Sequence, residues 1–286
     1  MSDDNPLERP FDRHLRRLRR DRAAASAGSA DYLFRHMADE IAARLDLVQR
    51  DFADALDLGC AGGHLTALLR ARGLDVTSVD AGAAFAAGGV QAEEDRLPFP
   101  PGRFDLIVSA GALDTVNDLP GALAQIRRAL RPDGLFLGAF VGAGSLPRLR
   151  AAMRAAEETA SPRIHPQIDV KAAGDLLVRA GFALPVVDAE TLTVRFSSLA
   201  SLVEDLRAMG GTNILTDRSR RPIDRFGLAA AAAAFAGQAE PDGKVAERFE
   251  IVHLSGWAPA PDQPRPARRG SATASLADAL KPPAAR

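Results

Sequence analysis

The first apolar periodicity in the chain falls in a basic stretch, where Phe11, Leu15 and Leu18 recur at i, i+4 and i+7 as one stripe on an arginine-rich helix. Tyr32, Leu33, Met37, Ile41 and Leu45 mark a second amphipathic helix over 31–48. The apolar run 52–58 reads as a buried strand, and Leu65, Leu68 and Leu69 then open a helix. Residues 76–80, 90–92, 104–109 and 135–141 read as further strands, with a helix over 120–130 that stops at Arg131-Pro132-Asp133-Gly134. This alternation of strand and helix predicts a parallel sheet covered on both faces. Helices follow over 146–159, 170–180, 198–209 and 223–236, with strands over 182–187, 191–196 and 249–257. From Pro259 onwards proline, alanine and arginine lack apolar periodicity, which predicts a disordered tail. The expected organisation is an arm over 1–30, a single α/β domain over 31–258 and the tail. Within the domain, 50–145 forms a cofactor half and 146–258 a cap with the final strands.

Composition narrows the classes. The chain has 286 residues, 47% hydrophobic and 26% charged, which suits one globular core. A net charge of −1 offers no general electrostatic reason to bind nucleic acid. No apolar run approaches the roughly twenty residues that span a bilayer. The single cysteine, Cys60, excludes an internal disulfide framework and fits a reducing cytoplasm. Charge is concentrated in the arm, where Arg9, Arg13, Arg16, Arg17, Arg19, Arg20 and Arg22 outweigh Asp12 and Asp21. Such a helix either docks its apolar stripe on the domain or touches an acidic partner or membrane surface, and membrane contact is peripheral at most.

The candidate chemistry lies in residues 55–63, Ala-Leu-Asp-Leu-Gly-Cys-Ala-Gly-Gly. A strand, a glycine turn and a helix N-terminus together present bare backbone N–H groups to a ligand. About twenty residues on, Asp80 ends the second strand, where a carboxylate takes the two hydroxyls of a ribose. A dinucleotide turn wants glycines at 59, 61 and 64, but Ala61 and His64 stand at two of the three. The turn is closer to the D-x-G-x-G-x-G pattern of S-adenosylmethionine (SAM) methyltransferases, with Asp57, Gly59 and Gly63 in place and Ala61 for the middle glycine.

Taken with Glu93-Glu94-Asp95-Arg96-Leu97-Pro98-Phe99, the strand 104–109 and Leu130-Arg131-Pro132-Asp133-Gly134, this turn resembles class I SAM-dependent methyltransferases, including the malonyl-carrier-protein methyltransferases of biotin synthesis. A narrower resemblance rests on Phe11-Asp12-Arg13, Val116-Asn117-Asp118-Leu119-Pro120, Arg179-Ala180-Gly181-Phe182, Glu204-Asp205-Leu206-Arg207-Ala208-Met209-Gly210 and Gly256-Trp257. Those segments resemble the mitochondrial respiratory complex I assembly factors with a methyltransferase fold. Because Met1 lies just before the match, no room for a transit peptide is expected.

The resemblance implies a Rossmann-like sheet of seven strands, SAM at its carboxyl edge and a helical cap. It implies cofactor contacts from Asp57, Gly59, Cys60, Ala61 and Gly63, from Asp80 and Ala81, from Glu93 and Glu94 at the adenine, and from Ser109. Cys60, small and beside Gly59, also reads as packing. The loop residues Asp114 and Thr115 depart from the aromatic or histidine pair of relatives, and Asp114 reads as an exposed loop aspartate or as a partner for a cationic side chain such as arginine. No histidine has an acid two residues on, as the local part of an iron facial triad would need, and no metal site is expected. His165, in a proline loop near the cap, is the one histidine singled out. Three functions are implied: a methyltransferase acting on a protein such as a complex I subunit, an arginine hydroxylase of such a subunit, or a SAM-binding assembly factor without turnover.

Overall fold

The structure, a computed structural model, describes residues 9–26, 30–156 and 162–261. In chain order the elements are α1 (Arg13–Ala25), α2 (Tyr32–Asp46), β1 (Asp54–Leu58), α3 (His64–Ala71), β2 (Asp75–Asp80), β3 (Val90–Gln91), β4 (Phe104–Ala110), α4 (Leu119–Ala129), β5 (Leu130–Val141), α5 (Pro147–Ala156), α6 (Val170–Ala180), β6 (Ala183–Phe196), α7 (Leu199–Ala208), α8 (Arg225–Ala236) and β7 (Val245–Trp257). The seven strands form one sheet in the order β3-β2-β1-β4-β5-β7-β6. The first five run parallel and β7 runs antiparallel to both of its neighbours.

Two apolar clusters cover the two faces, and the strands feed them alternately. Leu106, Val108 and Ala110 of β4 pack with α2, α3 and α8, whereas Phe104 and Ile107 pack with α4 and α6. This double burial explains why the central strands read as continuous apolar runs. The strand order reverses between β1 and β4, so the loops at their carboxyl ends diverge and leave a crevice there.

Besides β7, which begins at Val245 rather than Phe249, three elements differ from expectation. The strands expected over 182–187 and 191–196 are one strand, β6, paired with β7 from Ala183 to Phe196. The acidic step between them, Asp188 and Glu190, does not break it. Arg44 of α2 holds Asp188 through two bonds of 2.8 Å, and His36 and His253 both reach Glu190. β5 begins at Leu130 rather than Leu135 and absorbs Pro132 and Asp133 in an irregularity of its ladder with β4. Asp133 takes a positive φ of 61° there.

The third difference concerns α1. Its buried side chains are Arg16, Arg20 and Ala23, while Leu18 is 37% exposed. Phe11 lies ahead of the helix, bridged to Leu215 and packed on Ile214. The arm therefore docks through Arg16 and Arg20 as well as through Phe11 and Leu15 of the apolar stripe, which pack on Ile214 and Leu215, while Leu18 stays outside. Residues 157–161, the end of one expected helix, and the tail from 262 lie outside the described residues.

Candidate cofactor and substrate site

The turn after β1 is wound tightly enough to need left-handed backbone at three positions: Gly59 (φ 76°), Ala61 (φ 43°) and Gly63 (φ 77°). Ala61 occupies a conformation that a Cβ disfavours. At Gly59 a Cβ would sit 2.2 Å from the Cβ of Ala112, so this glycine admits the loop that follows β4. Gly63 then starts α3, whose first-turn amides face the crevice end.

Asp57, at the end of β1, is fully buried. The Thr66 hydroxyl donates to its Oδ2 at 2.6 Å, while its Oδ1 has no partner. Burial pushes its carboxyl up to about 6, with the neighbouring Asp80 charge adding and the Thr66 bond opposing. Asp57 borders a cavity of about 40 Å³ that Gly59, Ala61, Gly62, His64 and Phe34 also line. An unpaired buried carboxylate oxygen is costly unless a donor meets it, and an ammonium group is the donor that suits this charge. The residues present thus fit the amino-acid end of SAM. Ser109, at the end of β4, is likewise buried with its hydroxyl unpartnered.

The other end of the crevice is already occupied by the chain itself. Asp80 is fully buried, and all of its bonds come from protein. Arg20 Nε donates to Oδ1 at 2.6 Å and an Arg20 terminal nitrogen to Oδ2 at 2.5 Å, while the amides of Gly82 and Ala61 donate at 2.8 and 3.1 Å. Burial opposes its charge, but the Arg20 guanidinium and the two amides hold Asp80 below the usual carboxylate range. Glu94 forms a two-pronged pair with Arg16 at 2.7 and 2.8 Å, Glu93 accepts from Arg17 at 2.7 Å, and Asp95 accepts from Arg13 at 2.5 Å. The acidic run is thus buried rather than a solvated loop. The arm residues escaped the sequence reading, although four arginines spaced i, i+3, i+4 and i+7 were the available signal. Ala81 is buried beside Asp80. Cys60 is buried too, its sulfur near the Phe85 carbonyl at 3.5 Å, and burial raises its thiol to about 12, so it is an inert packing group.

Beyond the turn lies a larger cleft of about 230 Å³ between the sheet edge and the cap. Its walls are largely apolar, including Leu33, Met37, Leu149 and Met209, and Arg20, Asp114, Arg163 and His165 line it as well. Asp114 is half-buried, and burial raises its carboxyl to about 6 against the pull of Arg16 and Arg20. His165 accepts a bond from the Ile214 amide at Nε2, 3.0 Å, and stacks edge-on against Phe11. Burial lowers its pKa to about 4, so it is neutral near pH 7. No group of three metal-ligating side chains is found among the described residues. The same residues contain no helix long and apolar enough to cross a membrane.

The model of the methyltransferase domain family matches residues 29–185. The mitochondrial arginine-hydroxylase NDUFAF5 of Danio rerio is 35% identical over 95% of this chain and 89% of its own length. The human protein of that name is 35% identical over 94% and 82%. A malonyl-[acyl-carrier protein] O-methyltransferase of Laribacter hongkongensis is 32% identical over 84% and 87%. Among solved structures, the YcgJ protein of Bacillus subtilis covers 79% of this chain with 99% of its own, at a TM-score of 0.52 and 16% identity, a likeness of fold. A family match over more than half the chain, with full-length relatives above 30% identity, makes this chain a member of the methyltransferase domain family.

Proposed function

We propose that the protein is a SAM-binding enzyme that modifies an arginine side chain of a protein partner, a respiratory complex I subunit. The observation that carries the reading is the apolar cleft bordered by Asp114, which shares Phe34 as a wall with the small cavity at the turn after β1. A long side chain with a terminal cation suits it: the aliphatic stem lies along Leu33, Met37 and Met209, and the guanidinium meets the carboxylate. Asp57 would hold the ammonium of SAM, the first-turn amides of α3 its carboxylate, and Ser109 a polar atom at the end of β4. When bound, SAM supplies an electrophilic methyl on a sulfonium centre. The protein's part is alignment of the acceptor and exclusion of water, which needs little acid–base machinery.

Methyl transfer is favoured by the free Asp57 oxygen and the carrier-protein methyltransferase relatives. A second reading, hydroxylation of the arginine, is favoured by relatives that carry that activity in their names and match 95% of the chain. Hydroxylation adds one oxygen and takes an oxidant and electrons from outside the described residues.

Calorimetry tests the cofactor assignment. Asp57→Asn keeps the shape and the Thr66 bond but loses the charge, and should weaken SAM binding by about 1.5–3 kcal/mol, the range for hydrogen bonds to charged groups. Equal affinity in the two proteins would refute the role given to Asp57.

A further inference from the structure

The acids best suited to hold adenosine are held by α1, residue for residue. Arg13, Arg16, Arg17 and Arg20 form one helix face, and each pairs with one of Asp95, Glu94, Glu93 and Asp80. Arg16 and Arg20 are only 3% and 6% exposed, so these two are interior contacts rather than solvated pairs. The geometry of the Arg20 contact resembles that of a ligand. Two N–H donors reach the two oxygens of Asp80, as two vicinal ribose hydroxyls would. Arg16 likewise satisfies both oxygens of Glu94 and also reaches the Ala112 carbonyl at 3.3 Å.

The backbone is shaped to admit the helix. A Cβ at residue 82 would lie 2.8 Å from the Cβ of Arg20, so Gly82 makes room for α1 against the loop after β2. Asp21 accepts from the Ala84 amide at 2.9 Å, and the Arg20 guanidinium lies 5.4 Å from the centre of the Phe85 ring. At the start of the arm, the Asn117 side chain clasps the Phe11 backbone at both its amide and its carbonyl, 2.8 and 2.9 Å. Both oxygens of Asp80 and of Glu94 are thus satisfied by α1 and the backbone, whereas Asp57 Oδ1, the Ser109 hydroxyl and one oxygen of Asp95 are buried without a partner.

We infer that α1 is an internal competitor of the cofactor: Arg16 and Arg20 stand in for the adenosine of SAM, and the helix must swing off Asp80 and Glu94 before SAM seats fully. This rests on the assignment of SAM to the turn after β1. A ligand whose competent state is only partly populated binds more weakly by that fraction, so the arm sets the apparent affinity.

The test uses the full chain, with SAM as the probe. Arg16→Ala/Arg20→Ala should bind SAM at least about tenfold more tightly than wild type. Arg19→Ala/Arg22→Ala removes equal charge from the same helix away from the acids and should leave affinity unchanged, separating a plug from general repulsion of a cationic ligand. Because the first variant leaves buried acids unpaired, hydrogen exchange on wild type gives an independent readout. Saturating SAM should increase exchange in α1 while protecting the turn after β1. SAM that binds wild type and protects α1 would overturn the inference while sparing the SAM assignment, as would a folded Arg16→Ala/Arg20→Ala protein that binds no better than wild type. Failure of SAM to bind either protein would overturn both. Binding by the variant alone would support the plug in its strongest form.

Discussion

At the residue scale, two positions carry stored cost. Ala61 holds a left-handed backbone where glycine pays no steric penalty, and its amide donates to Asp80. Ala61→Gly should therefore stabilise the fold by about 1 kcal/mol, the net of relieved strain and added chain entropy, read from the urea midpoint. Asp57 carries an electrostatic cost. Its folded pKa, raised to about 6 against an ordinary 3.8, means that the native state binds the proton more tightly than the unfolded chain. Stability contributed at this site thus rises as pH falls through that window. Asp57→Asn should be the more stable protein above pH about 6, with its advantage shrinking as pH falls from about 6 towards 3.8. An unchanged gap between the two melting curves across that range would contradict the buried, unpaired carboxyl. His165 carries the opposite sign: held neutral to about pH 4, it adds stability above its ordinary 6.5 that is lost as pH falls between the two values.

At the element scale, the seat of α1 depends on groups far apart in sequence. Asn117, in the loop before α4, supplies two bonds to Phe11, and Asp12 caps α1 through the Leu15 amide. Asn117→Ala should cost about 1–3 kcal/mol by leaving the Phe11 backbone groups unpaired. It should also raise hydrogen exchange across α1 more than across α4. Uniform exchange in both helices would show that the clasp does not govern the arm. The elements themselves were largely legible in the chain, because buried parallel strands read as apolar runs and Leu65, Leu68 and Leu69 or Met37 and Ile41 repeat at helical spacing. What escaped was polar and long-range. The helical pattern of Phe11, Leu15 and Leu18 pointed to an apolar docking face, yet the acids that bury Arg16 and Arg20 lie about sixty to eighty residues on and meet them only in the fold. The acidic step in β6 suggested a loop for the same reason, since its partners Arg44, His36 and His253 belong to α2 and β7.

At the scale of the whole molecule, the site divides into parts of different legibility. The glycine turn and Asp80 are local and visible as a motif. The unpaired oxygen of Asp57 and the cleft beside Asp114 depend on how α2, α5 and the cap close over the sheet edge, which no local pattern encodes. The segments of the narrower resemblance lie mostly away from the turn. Phe11-Asp12-Arg13 and Val116-Asn117 build the clasp, Glu204-Asp205 with Met209-Gly210 forms part of the cap against α1 and α2, and Gly256 lets β7 approach Phe182.

The central claim is that this cleft modifies an arginine of a partner protein. Its most direct test is peptide mass spectrometry of the arginines of a complex I subunit co-expressed with wild type, with Asp114→Asn, or alone. One arginine should carry an added methylene or an added oxygen with wild type, the former identifying methyl transfer and the latter hydroxylation. Asp114→Asn should lose most of that modification while its melting temperature is retained. Unmodified arginines in the presence of the wild-type protein, or full modification by Asp114→Asn, would contradict the account.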